Sequence, residues 1–348
     1  MKDFDYLKLL DLKFNSNIVA LISEIYEHKG KQTLFLSQNP EGLESLINMA
    51  KIQSTESSNR IEGIVTTERR INEIMADKTT PKNRDEEEIM GYRDVLNIIH
   101  GNYDYIKITQ NFISQLHRVL YKYSSGQFAG KFKNTNNFIQ EIDELGNKRI
   151  KFTPLEAYLT PDAIEKICNE YNNVKNTTQI EPLILIPIFI IDFLCIHPFN
   201  DGNGRMSRLL TLLLLYQNGF MVGKYISLEK LISNTKEEYY TSLEKSSYLW
   251  HENNNDPMYF VEYMLRIILN AYKQFEERII LVENSKLTKA EQIKNLFDAK
   301  VGILSKKEIK TLLPHISEPM IELTLKSLLD EGYITKVGAG RNTQYIKN

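Results

Sequence analysis

Cysteine is nearly missing from this 348-residue sequence: Cys168 and Cys195 are the two present. Two thiols cannot build a disulfide framework or a Cys-based zinc site, and Cys195, which follows an apolar run, suits a buried thiol. Charge of one sign is also lacking: 43 Lys+Arg face 45 Asp+Glu, a net charge of −2. That balance argues against a whole-chain nucleic-acid binder and leaves room only for a local basic patch. Long apolar runs are absent too. The longest, "PLILIPIFIIDFLCI" (Pro182–Ile196), falls short of the roughly 18 residues a membrane span needs and contains Pro187 and Asp192. It reads as a buried core helix. The N-terminal "MKDFDYLKLLDLKF" carries charges inside its apolar stretch and has no small-residue cleavage site, so no signal peptide is expected. Cytoplasmic residence and no membrane partner follow as expectations. At 42% hydrophobic and 25% charged, the composition excludes disordered, collagen-like and coiled-coil chains.

Strand-like alternation is scarce, and helical periodicity recurs almost everywhere, so a mainly α fold is expected. "SNIVALISEIYEHKG" puts Ile18, Leu21, Ile22 and Ile25 on one stripe, with Gly30 as a stop. "EGLESLINMAKIQSTESSNRIEGI" repeats the pattern with Leu43, Leu46, Ile47 and Ala50, closed at Gly63. "NRDEEEIMGYRDVLNIIH" opens with acids that favour a helix start and offers Ile89, Tyr92, Val95 and Ile99 to a core. "TQNFISQLHRVLYKY" is another helix. "NNFIQEID" and "KRIKFTP" flank a turn at Gly146-Asn147 and predict a hairpin. Helices are expected again over Pro161–Asn173, Pro182–Ile196, Arg205–Asn218, Asn234–Ser247 and Pro257–Val282. Three further helices and a strand pair follow, the order of a winged helix-turn-helix. No internal repeat or low-complexity segment is visible. The expected division is 1–100, an N-terminal helical region; 101–284, a core; and 285–348, the winged domain, with a linker near 283–286.

Between two strongly apolar helices lies a polar, Gly-rich loop, "HPFNDGNGRMSR", His197 to Arg208. Gly202 and Gly204 let backbone N–H groups approach an anion closely. The loop opens a helix, whose N-terminus attracts negative charge. Arg205 and Arg208, three apart, share a helix face, and two guanidiniums on such a nest suit a di- or triphosphate. Asp201 is a hard oxygen ligand that suits Mg²⁺ shared with phosphate oxygens. His197 titrates near neutrality and suits a general base.

These residues match, position for position, the signature HPFx[D/N]GNGRxxR of the Fic (filamentation-induced-by-cAMP) family, and the chain resembles that family over roughly residues 35–280. The resemblance implies a Fic-fold helical bundle with a β-hairpin flap. It implies a protein adenylyltransferase, which transfers AMP from Mg·ATP to a Ser, Thr or Tyr hydroxyl of a target protein and releases pyrophosphate. On that reading His197 deprotonates the hydroxyl and Asp201 holds Mg²⁺. The Gly202 and Gly204 backbone and the Asn203 side chain cradle phosphates. Arg205 and Arg208 hold the β- and γ-phosphates, and Phe199 is a core anchor. The hairpin over Phe138–Phe152 resembles the flap on which a target segment docks by strand addition. Its lead-in "GKFKNTNNFI" is similar to GxFRTxxxxI, with Lys133 where Arg is frequent and Ile139 among the nucleotide contacts. "NTKEEYYTSL" resembles the adenine-side helix. Tyr239 or Tyr240 would lie against the base, Tyr239 being favoured, and Ser247 stands where the family often has Asn.

"SSNRIEGI" matches the family's inhibitory motif [S/T]xxxE[G/N] at Ser58, Glu62 and Gly63. Ser58 and Glu62 share a helix face. The resemblance implies that Glu62 pairs with Arg208 and turns ATP away from a productive pose. Breaking a buried Arg–carboxylate pair costs about 3–5 kcal/mol. In some family members this glutamate also serves removal of AMP.

Alternatives remain open at this level: another nucleotide donor, de-adenylylation, or a DNA-binding regulator acting through the winged helix. From Lys286 to Asn348 there are 11 basic and 7 acidic residues. The candidate recognition helix carries Glu318, Glu322, Asp330 and Glu331 against one Lys326, which disfavours DNA; Arg341 and Asn342 are the wing's candidates for backbone contact. Family members often dimerise, so a homodimer is a candidate assembly.

Overall fold

The computed structural model describes residues 2–11, 13–36, 40–124, 128–142, 148–177, 180–283, 288–299, 302–338, 340 and 343–348. The turn expected at Gly146-Asn147, residues 284–286 of the expected linker with the boundary at 284–285, and Arg341 and Asn342 lie outside the described residues. The chain divides into two compact units. One comprises Met1–Glu27 and Ala50–Ala271, the other His28–Met49 and Tyr272–Asn348.

The element order opens with α1 (Ser16–Leu36), α2 (Pro40–Ile61), α3 (Glu68–Met75), α4 (Arg84–Asn102) and α5 (Gln110–Leu120). The hairpin β1 (Ile139–Ile142) and β2 (Lys148–Phe152) follows, then α6 (Thr160–Thr177), α7 (Pro182–Ile196), α8 (Asn203–Gln217), α9 (Leu228–Asn234), α10 (Lys236–Ser247) and α11 (Met258–Glu283). The expected mainly α architecture with a hairpin is thus present. α4 starts where its sequence says it should: Asn83 accepts from the Glu86 N–H, and Asp85, Glu86 and Glu87 fill the first turn, favourable at a positive helix end. Its Ile89, Tyr92, Val95 and Ile99 are all buried. α7 is apolar all round and is buried along nearly its whole length, as such a helix must be. It packs along α8, and the loop between them is buried at Phe199, Gly202 and Asn203 and exposed at Asn200 and Asp201.

Three local expectations needed correction. Gly30 does not stop α1, which runs on to Leu36; a mid-helix Gly costs only about 1 kcal/mol, less than the following turns recover. α3 and α9 were not foreseen. Both are short helices capped by local hydroxyls, Thr67 accepting from the Arg70 N–H and Ser227 from the Lys230 N–H. α2, by contrast, ends at Ile61 and Gly63 takes the left-handed conformation, φ 82°.

β1 and β2 pair antiparallel, Gln140 with Ile150 and Glu141 with Arg149, with a register irregularity between Ile139 and Gln140. In the second unit come α12 (Lys289–Ala299), β3 (Ile303–Ser305), α13 (Lys306–Leu312), α14 (Glu318–Asp330), β4 (Ile334–Val337) and β5 (Gln344–Lys347). The strands form an antiparallel sheet in the order β3-β5-β4, one strand more than the sequence indicated. Ile293, Leu296, Phe297, Leu304, Ile309 and Leu325 are buried together there. Ser305 and Glu308 form a reciprocal capping box at the start of α13. Among the described residues no helix is long and apolar enough to cross a membrane.

Candidate active site

His197 closes α7 in the left-handed conformation, φ 52° and ψ 62°, with its N–H on the Phe193 carbonyl. Its Nδ1 lies 3.2 Å from the Leu194 carbonyl oxygen. A carbonyl only accepts, so Nδ1 carries the proton and Nε2 is left as a bare acceptor. Burial, with the nearby Lys133 charge adding to it, lowers the imidazole pKa to about 4. At neutral pH the ring is therefore uncharged and in the tautomer a general base needs.

The following turn is fixed from several sides. Phe199 is fully buried and stacks on His117, ring centroids 3.7 Å apart and planes 2° from parallel. His117 Nε2 is 3.0 Å from the Asp201 carbonyl oxygen, and its Nδ1 accepts from the Gly130 N–H at 2.9 Å. One neutral histidine on α5 thus ties the loop to the flap's lead-in. Nothing in the loop's own sequence pointed to His117. Gly202 adopts φ 80°, and a β-carbon on it would stand 2.9 Å from the Tyr121 ring, so only glycine fits both the turn and the space.

Asn203 has a different job from the one expected. Its Oδ1 accepts from the Phe199 N–H at 2.9 Å, and its Nδ2 donates to the Phe199 carbonyl at 2.7 Å. Both ends of the amide are occupied and buried. The side chain shapes the loop, with one of its two Nδ2 hydrogens committed to Phe199.

The two arginines diverge although they share a helix. Arg205 is 1% exposed. Its Nη2 is 2.6 Å from Glu88 Oε2 and donates to the Tyr121 hydroxyl at 2.7 Å. Its charge is thus matched by Glu88 inside the protein, while its Nε has no hydrogen-bond partner among the described residues. Arg208 points to the end of α2. Its Nε donates to Ser58 Oγ at 2.8 Å, and its Nη2 to the Ser58 carbonyl at 2.9 Å and to Glu62 Oε1 at 2.8 Å. The expected Glu62–Arg208 pair is therefore formed, with Ser58 on the same guanidinium. The Glu62 side chain remains 32% exposed while that of Arg208 is 3% exposed.

Asp201 presents its carboxylate half-exposed at the start of α8. Oδ1 accepts from the Gly202 N–H at 2.6 Å, and Oδ2 is 3.4 Å from Arg84 Nη2. Among the described residues no group of three or more His, Cys, Asp or Glu side chains could hold a metal ion. A lone hard carboxylate at a phosphate-favouring helix end fits Mg²⁺, which keeps waters and shares one or two carboxylates with substrate phosphates.

The remaining expected contacts are sorted by exposure. Tyr239 is 3% exposed, inside an aromatic group with Phe260 and Tyr263. Tyr240 is 41% exposed, with the Lys236 ammonium over its ring. Of the two rings expected near the base, Tyr240 is thus the exposed one and Tyr239, the favoured one, is buried. Lys133 is buried, and its Nζ donates to the Ile196 carbonyl and to Asn137 Oδ1. A single ammonium tethers the flap's base to the loop in place of an arginine fork. Ile139 is half-buried at the start of β1.

Residues 107–215 match the sequence profile of the Fic/DOC family, a stretch that contains the whole loop. A Fido domain-containing protein of Dictyostelium discoideum is 30% identical over 128 residues, 36% of this chain and 85% of that protein. A probable protein adenylyltransferase of Aquifex aeolicus is 38% identical over 87 residues, 25% of this chain, which spans only 26% of that protein's length. A Fic family protein from Desulfovibrio desulfuricans superposes with a TM-score of 0.63 at 21% identity, over 97% of each chain. With the fold, the loop and this likeness in agreement, the chain belongs to the Fic/DOC family.

Proposed function

We propose that this chain is an autoinhibited protein adenylyltransferase, transferring AMP from Mg·ATP to a hydroxyl of a target protein and to itself. One observation carries the reading. A neutral imidazole with a bare Nε2 stands at the entrance of a turn that leads into the N-terminus of α8, where Arg208 is held by Glu62. The relatives named protein adenylyltransferase support the same chemistry.

His197 Nε2 takes the proton of the target hydroxyl. The hydroxyl oxygen attacks the α-phosphorus, the bond to the bridging oxygen breaks, and pyrophosphate leaves with that electron pair. The α8 N–H groups, fixed by Asn203 and His117, supply positive potential without reorganising. Asp201 would hold Mg²⁺, which neutralises phosphate charge when bound. Glu62 restrains the reaction by occupying Arg208, the loop arginine that pairs with the carboxylate just past the end of α2. The target's segment adds to the β1–β2 hairpin as a strand. We read the order of elements from α12 to β5 as a winged helix serving protein interaction, because the exposed acids Glu318, Glu322 and Asp330 of α14 would repel a phosphate backbone.

The test incubates wild type, Glu62→Gly and Glu62→Gly/His197→Ala with Mg²⁺ and ATP labelled at the α-phosphate. Label on the protein is expected in Glu62→Gly alone. Equal label in the double variant would overturn the role of His197. No label in any variant, with nucleotide still bound, would overturn AMP transfer from ATP.

A further inference from the structure

Arg278 lies on α11 within the smaller unit and is 4% exposed. Its Nη1 is buried and has no hydrogen-bond partner among the described residues. A buried guanidinium lacking a partner is costly, and burial lowers its pKa to about 10, so it still carries a full charge at neutral pH. The side chain lines a cavity of about 290 Å³ between α11 and the start of α13, with Ser305, Lys307 and Thr311 on the facing wall. That volume is near the lower end for small-molecule sites.

Two acids also border the cavity, Glu277 and Glu308. The Glu277 charge offsets the arginine only in part, burial outweighing it, and neither acid is hydrogen-bonded to Nη1. Glu308 Oε2 is committed to the Ser305 N–H and hydroxyl at 2.7 and 2.8 Å, and Glu277 is exposed to solvent. Lys307, exposed on the rim, adds a second cation beside the opening.

We infer that this cavity is a binding site for a small oxyanion, a carboxylate- or phosphate-bearing ligand whose oxygen meets the Arg278 guanidinium with Lys307 at the rim. Arginine is the residue suited to such ligands, since its planar fork matches both oxyanions. The site lies wholly within the smaller unit and is independent of the 197–208 loop. It gives that unit a ligand of its own, separate from whatever protein it docks.

The experiment melts the full chain in rising inorganic phosphate or acetate, against chloride at equal ionic strength. Because phosphate also suits the catalytic loop, it is run in wild type, Arg208→Ala, Arg278→Met and Arg278→Lys. Expected is a rise in melting temperature in wild type and Arg208→Ala, absent in Arg278→Met. The more effective anion names the ligand class. Arg278→Met should itself melt higher than wild type without anion, because an unpaired buried charge has been removed. Arg278→Lys keeps the charge but loses the fork, and its half-saturating anion concentration should rise about tenfold. Equal shifts in wild type and in the Arg278 variants, or none beyond chloride, overturn the site. Should Arg278→Met fail to fold, Arg278→Lys decides by the same reading.

Discussion

The Glu62 carboxylate rests on Gly204: a β-carbon built there would stand 2.3 Å from Glu62 Oε1. The same oxygen accepts from Arg208. An internal carboxylate thus fills the first turn of α8, where a phosphate would gain most from the helix end.

Glu62→Gly should therefore raise ATP affinity and self-labelling together. A charge-assisted hydrogen bond is worth about 1.5–3 kcal/mol. Glu62 is a third exposed, which places the pair nearer that range than the value for a fully buried pair. A gain of about ten- to hundredfold is expected, read by calorimetry with ATP and by label incorporation.

Lys236 donates to the Ile61 carbonyl at 2.8 Å and holds the last turn of α2, the turn that carries Glu62. Lys236→Ala should loosen that end and raise self-labelling by about three- to tenfold, below Glu62→Gly, since a hydrogen bond from a charged group contributes about 1.5–3 kcal/mol and only part of it reaches Glu62. Labelling equal to wild type would remove Lys236 from the restraint.

Asn203→Ala should act on the fold before it acts on binding. It strips the buried Phe199 N–H of its acceptor and the Phe199 carbonyl of one of two donors, Asn137 Nδ2 remaining at 3.3 Å, and the orphaned N–H costs about 1–3 kcal/mol. The melting temperature should fall by several degrees. A change in ATP affinity with unchanged melting would restore the phosphate-contact role.

His197 is uncharged from about pH 5 upward, its pKa being lowered to about 4. In the Glu62→Gly background, the labelling rate should then show no acidic limb near pH 6.5. His197→Ala should lower the rate by about a hundredfold or more with ATP affinity retained.

Three histidines are held neutral, the half-buried His197 and the buried His117, each lowered to about 4, and the buried His100, lowered to about 3, with desolvation the leading cause for all three. In the unfolded chain each binds its proton near pH 6.5. The unfolded state thus takes up more protons below that pH, and the stability these rings contribute is complete above 6.5 and lost as pH falls toward 4. Chemical denaturation from pH 7 to 5 should show stability falling by up to about 1.4 kcal/mol per pH unit for each histidine. His117→Phe should remove one such increment.

The loop and the helix order were legible because each rests on local spacing, a fixed run of residues and a 3.6-residue period, whereas the pairing of Glu62 with Arg208 across the chain was implied only by the resemblance that the loop and the Ser58–Glu62 motif carry. What stayed hidden depends on residues far apart in the chain. Arg205 is matched by Glu88, and the loop is stapled by His117, pairings that no spacing within either segment encodes. Tyr239 and Tyr240 are adjacent, so the sequence could say that they differ but not which ring faces inward; Phe260 and Tyr263 on α11 decide it. Gly30 misled because helix propensity is weak beside tertiary packing.

The hydrogen bond from His197 to the Leu194 carbonyl spans a single turn of its own helix end. It contains nothing from α2, from Arg208 or from a ligand, so the base is cocked at the same tautomer whether Glu62 is in place or not. Resting and working molecules would then differ by the rotation of one acid side chain. Under the proposed function, output follows the fraction of time that side chain spends swung away, a dial and not a latch.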